Sequence, residues 1–112
     1  MDATTARPRV ISRDQILSAD AVVIARRVSA ESDRIRVERV FRGTVAEGDS
    51  LRVVNLGEVP LLVQDQDYVM ALSRDRQDFA VTTLEGQRAG PLVYASTPPT
   101  IEEIKAILRD QL

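Results

Sequence analysis

Apolar and polar positions along this chain alternate mostly at the period of a strand. Residues 21–25, Ala-Val-Val-Ile-Ala, form a run too apolar and β-branched for a surface helix, and it leads on to Val28. This predicts a first strand over 21–29, buried for much of its length. A polar turn at 30–33 follows, and then Arg34-Ile35-Arg36-Val37-Glu38 alternates charged and apolar residues. That pattern predicts a second strand forming a hairpin with the first. The alternation slips at Arg39-Val40-Phe41, where two apolar residues become adjacent. A bulge or bend near Arg39 lets both Val40 and Phe41 reach apolar surroundings. Arg42-Gly43-Thr44 ends the strand, Glu47-Gly48-Asp49 makes a turn, and Leu51, Val53, Val54 and Leu56 mark a third strand over 50–56.

Residues 57–67 read as a long connection with little room for a helix. Its segment Pro60-Leu61-Leu62-Val63 is apolar enough to fold back on the core. A fourth strand over 68–72 places Tyr68, Met70 and Leu72 on one face; a charged hairpin turn at 74–77 and a fifth strand over 78–83 complete the set. A short extended segment is expected over 90–94. Two helices flank these strands. Ser12-Arg13-Asp14-Gln15 has the form of a capping box opening a short helix to about Ala19, in which the Ser hydroxyl and the Gln side chain satisfy free amides. At the other end Thr100 is expected to cap, Glu103 to complete a second box, and Ile101, Ile104, Ile107, Leu108 and Leu112 recur at helical spacing.

Residues 11–112 therefore read as one mainly β domain, preceded by a flexible arm over 1–10. The expected architecture is a five-stranded antiparallel OB-like barrel with a short N-terminal helix and a C-terminal amphipathic helix that seals the sheet. The residues that carry a family pattern lie within 19–84: Ala19-Asp20-Ala21-Val22-Val23-Ile24-Ala25, then Val37-Glu38-Arg39-Val40-Phe41-Arg42-Gly43, then Asp67-Tyr68-Val69-Met70-Ala71-Leu72. This resembles the bacterial netrin-like and metalloproteinase-inhibitor-like OB domains. The resemblance implies the barrel, and, because such bacterial relatives are commonly secreted or envelope proteins, export. It carries no inhibitory residue across, since those inhibitors reach the zinc of their target enzyme through an N-terminal cysteine and this chain contains none.

Composition narrows the chemistry further. With no Cys and no His, disulfides, thiolate nucleophiles, Ser-His-Asp and Cys-His constellations and the commonest transition-metal ligands are excluded. Catalysis would have to rest on carboxylates, Lys105, tyrosines or a hard metal ion, so a non-enzymatic protein with no cofactor is expected. The chain has 15 basic and 17 acidic residues and a formal net charge of -2. That acidity disfavours non-specific nucleic-acid binding. All the basic residues but Lys105 are arginines, a usage attributed to genome composition. The first ten residues lack the apolar core of a signal peptide, and no stretch approaches the roughly 20 apolar residues of a membrane span.

Three groups of side chains are candidates for function. Arg34, Arg36 and Arg42, with Arg26 and Arg27 on the neighbouring strand, form a basic stripe of the kind that follows a single strand of nucleic acid. Charge pairing with Glu31, Glu38 and neighbouring acids on a solvated face is the competing and favoured reading. Tyr94, beside Pro91 and Pro98-Pro99, is a candidate anchor for a partner peptide, against packing of its segment on the barrel. Asp65, Asp67, Asp75 and Asp78 flank the fourth strand without EF-hand spacing and read as turn residues rather than a metal site. Glu102 and Glu103 are placed in the first turn of the last helix, where they suit its dipole. The function expected is a protein- or peptide-binding module, with Arg34, Arg36, Arg42 and Tyr94 as candidate contacts; a single-stranded nucleic-acid-binding OB domain is the alternative, and a carboxylate-based enzyme the third class.

Overall fold

Strands β1 (Ala21–Arg27) and β4 (Tyr68–Asp75) lie side by side at the centre of an antiparallel sheet, and both are buried on two faces. That explains their uninterrupted apolar runs, since a strand covered on both sides has no polar face to alternate with. The computed structural model describes residues 11–29, 32–59, 62–63, 65–83 and 91–110. Around the central pair are β2 (Arg34–Arg42), β3 (Ser50–Arg52), β5 (Asp78–Val81) and β6 (Tyr94–Ala95), in the order β3-β2-β1-β4-β5 with β6 also on β4. Helices α1 (Arg13–Ser18) and α2 (Pro98–Arg109) open and close the described chain. The molecule is thus mainly β, with one antiparallel sheet and two helices.

Alternation along the strands sorts the core into two clusters. One face holds Ala21, Val23 and Ala25 of β1, Ile35 and Val37 of β2, Tyr68, Met70 and Leu72 of β4, and Phe79 and Val81 of β5. The other face holds Val22 and Ile24 of β1 and Val69 and Ala71 of β4 beneath Ile16 of α1 and Ile104 and Ile107 of α2. The helical spacing read from Ile101 to Leu108 is the face that docks on the sheet; Leu112 lies outside the described residues.

The bulge near Arg39 is present. Ile24 pairs with Arg39 and Ala25 with Val37, so Glu38 is the extra residue. A second slip pairs Val22 with Arg42 and Val23 with Val40, leaving Phe41 extra. Val40 then packs on the first cluster and Phe41 on the second, so each reaches apolar surroundings on a different face. Gly43 ends β2 at φ +110, and a Cβ there would stand 2.8 Å from the Cβ of Ala21. No other residue fits both that conformation and that approach.

Several boundaries differ from the sequence reading. β3 stops at Arg52, not Leu56, because Val53 bridges to Phe79 and a 3-10 turn at Leu56–Glu58 turns Leu56 and Val59 into the core. β4 runs on to Asp75, and only Arg76 and Gln77 remain for the hairpin turn. α2 begins at Pro98 with Thr97, not Thr100, as its cap; Thr97 Oγ1 accepts from the Thr100 amide. Prolines suit the first helical positions, where no intrahelical N–H bond is lost. Glu102 and Glu103 consequently lie beyond the first turn, and Glu103 completes no capping box. At α1 only half of the expected box forms. Ser12 Oγ accepts from the Gln15 amide at 3.2 Å, but the Gln15 side chain turns inward and is 1% exposed. Its Nε2 donates to the Thr82 and Leu92 carbonyls, and its Oε1 accepts from the Tyr94 hydroxyl at 2.6 Å. A buried amide needs such partners, and the sheet provides better ones than the helix end.

The last strand of the path meets the first at one place. Val53 and Phe79 form a parallel bridge, and the Val54 amide donates to the Phe79 carbonyl at 2.8 Å. Beyond it Asn55 acts as a piece of strand: its Nδ2 donates to the Val81 carbonyl and its Oδ1 accepts from the Val81 amide, at 3.1 and 2.7 Å. The edge of β5 is covered there by a side chain in place of a ladder.

Candidate interaction face

Among the described residues, the helices cover one part of the outer face of the sheet and leave another open. On β1, Val22 and Ile24 lie beneath them, and the same alternation brings Arg26 and then Val28 to the open part. Cross-strand register assembles the rest. Arg26 stands opposite Arg36, Arg36 opposite Ser50, and Arg34 opposite Arg52. Directly opposed residues share a face, so four arginines from three strands meet around Val28, which is 51% exposed.

Each of these arginines except Arg34 has a carboxylate partner among the described residues. Arg26 Nε meets Asp67 Oδ1, Arg36 Nε meets Glu38 Oε2 and Arg52 Nε meets Asp33 Oδ2, all at 2.8 Å, while Arg52 Nη1 reaches Asp78 at 3.4 Å. The hydrogen bond from Arg52, with its charge, holds the Asp33 carboxyl below the usual aspartate range against the opposing effect of desolvation. The same bond raises Arg52, and the one that Arg26 donates to Asp67 raises Arg26, keeping both firmly charged. These pairs are half-exposed, so their value lies in fixing where the guanidinium groups point more than in stability.

Two open clefts border the face. One, of about 200 Å³, is lined by Arg26, Arg27, Val28, Arg36 and Asp65. The other, of about 370 Å³, is lined by Arg52, Val54, Asp75, Arg76 and Asp78 at the β4–β5 hairpin. Asp65 and Arg76 both adopt positive φ, 64 and 60, at these rims.

The candidate residues do not all come together. Arg34, Arg36, Arg26 and Arg27 lie at one end of the β1–β2 pair, but Arg42 is six residues beyond Arg36, roughly 20 Å along the strand. There Arg42 Nη1 contacts the Leu17 carbonyl at 3.4 Å, beside α1. Tyr94 is 3% exposed, with its hydroxyl bonded to Gln15 and to the Ser12 amide, so its ring is part of the helix-side core and not a surface anchor. Its role is packing. The other three aromatics are also engaged: Tyr68 and Phe79 are buried, and Phe41 packs on the helix-side cluster under Arg39. No ring is left as a stacking platform beside the arginines. Glu31 lies outside the described residues. Asp67 is held by Arg26, and Asp75 faces Asp78 across the hairpin; no group of three or more acidic side chains suited to a metal ion gathers among the described residues.

Arg52 is the residue that strand alternation could have found. It lies between Leu51 and Val53, which point inward, and the β2–β3 hairpin sets it opposite Arg34. No helix of the described chain is long and apolar enough to cross a membrane. Comparison with known protein families, curated proteins and solved structures finds no match to this chain.

Proposed function

We propose that this protein is a non-enzymatic binding module for a protein or peptide partner, built as an OB-like barrel of the netrin-like kind. The observation that carries the reading is the open part of the outer sheet face, where Arg26, Arg34, Arg36 and Arg52 surround exposed Val28. Oriented arginines around apolar contacts are what protein interfaces favour, because the guanidinium combines planar hydrogen bonding with weak hydration. The barrel is supported by the Val53–Phe79 bridge and the Asn55–Val81 pair, which join the two ends of the strand order. The absence of His and Cys from the whole chain speaks for binding over catalysis.

Panning a displayed peptide library on the folded protein tests this. A variant carrying Arg34→Glu and Arg52→Glu, with unchanged circular dichroism, serves for counter-selection. Enrichment of peptides retained by the native chain and released by the variant is expected. Equal retention by both, or no enrichment, overturns the reading; salt-dependent binding of an oligothymidylate instead would put the nucleic-acid module in its place.

A further inference from the structure

The cleft at Arg26 and Arg36 has a feature that the rest of the face lacks. Both guanidinium groups are held through Nε: Arg26 by Asp67 and Arg36 by Glu38, each at 2.8 Å. Their terminal Nη groups make no hydrogen bond to any described residue. A guanidinium fixed at Nε has its plane set before anything binds, so little rotamer entropy remains to be lost when the two Nη donors engage an anion. Arg26 and Arg36 are opposed in register and share a face, while Arg27 stands opposite the buried Ile35 and borders the cleft from the next position on β1. Val28 adds an apolar wall.

Resting on the reading of the face as a peptide-binding surface, we infer that this cleft receives a single carboxylate of the partner, bound by the Nη groups of Arg26 and Arg36. The size of the cleft, about 200 Å³, suits one functional group. It is below the roughly 300 Å³ at which small-molecule and cofactor sites begin. Charge selects among oxyanions. Asp65 is the fifth lining residue, and its charge acts on Arg26, so a singly charged carboxylate meets less repulsion there than a doubly charged phosphate. The carboxylate comes from an Asp or Glu side chain or from a chain end, and the two sources present the same planar pair of oxygens to the guanidinium fork.

The full chain, labelled with ¹⁵N, is titrated while the arginine Nε–Hε and backbone amide resonances are followed. The ligands are a blocked peptide containing Glu, a peptide without acidic residues but with a free C-terminus, its C-terminally amidated form, and inorganic phosphate. Saturable shifts at Arg26 and Arg36 are expected with the carboxylate-bearing peptides, which of the two binds identifying the source. The amidated peptide should leave them unmoved and phosphate should bind more weakly. Arg26→Gln and Arg36→Gln should each weaken the interaction by about tenfold, and Asp65→Asn should tighten it by roughly threefold. Shifts no larger than those at Arg42 and Arg109, or affinities unmoved in both arginine variants, overturn the inference. Peptides from the panning that perturb Arg34 and Arg52 but not this cleft would remove the carboxylate site and leave the module standing. Carboxylate binding in the cleft with no peptide enriched would do the reverse.

Discussion

Asn55 shows how one side chain can finish what a strand does not. Its amide supplies one donor and one acceptor, the same pair a neighbouring strand would offer, and both are spent on Val81, which is 1% exposed. Replacing it by Ala leaves two backbone groups of a buried residue without partners, at a cost of about 2–4 kcal/mol. Urea unfolding at constant m-value measures this, and a change of only about 0.5 kcal/mol would show that water replaces the side chain without loss. Asp at the same position keeps the acceptor but sets a carboxylate against the Val81 carbonyl, so it should not rescue. Nothing in the apolar pattern singles Asn55 out. It sits within residues 50–56, which read as strand throughout, and its partner lies 26 positions away. Gly43 is the opposite case: the chain shows a glycine at the end of a strand, and the positive φ and the approach to Ala21 supply the reason.

At the level of elements, the short helix α1 depends on contacts far away in the chain. Tyr94 on β6 donates to Gln15 and accepts from the Ser12 amide, so β6 and the start of α1 are joined by a buried polar link. Tyr94→Phe removes the hydroxyl and leaves Gln15 Oε1 buried without that donor. A loss of about 1–3 kcal/mol is expected, with α1 amides losing exchange protection more than those of β2. Equal loss in both elements would argue for a general packing defect. β2, β3 and β5 are linked differently, through Arg52 with Asp33 and Asp78. Because Arg52 holds Asp33 below its ordinary value of 3.8, the contribution is present above about pH 4 and is lost as pH falls through the lowered value. An Arg52→Gln variant should therefore lose less stability between neutral pH and pH 3 than the native chain; parallel acid limbs for the two would show that the pair does not couple to folding. Of these elements the hairpins, the bulge at Glu38 and the docking face of α2 are legible in the alternation of residues. The start of α2 and the inward turn of Gln15 are not, because each depends on which of two local partners the fold makes available.

For the whole molecule, two apolar clusters on opposite faces of β1 and β4 make those strands the last to open. Their amides should exchange slowest, near the global unfolding free energy, and those of the three-residue β3 and two-residue β6 faster. Hydrogen exchange followed by NMR decides it, and comparable protection in β3 would mean that the joint to β5 is tighter than one bridge implies. The same arrangement determines where a partner can bind. Among the described residues, both helices lie over one part of the outer face, and the part with the arginines and Val28 is left open to solvent.

What the amino-acid sequence determined by itself was local: strand periods, the bulge, the turn glycines, the amphipathic helix, and the chemistry removed by having no His and no Cys. These follow from side-chain identity and spacing along a few neighbouring residues. The tertiary structure decided which arginines share a face, that Arg42 is not among them, that Tyr94 is inside, and that Arg52 belongs with Arg34. Such choices depend on cross-strand register and on which part of a sheet the helices cover. Both are set by packing between segments far apart in the chain, where no local pattern reaches.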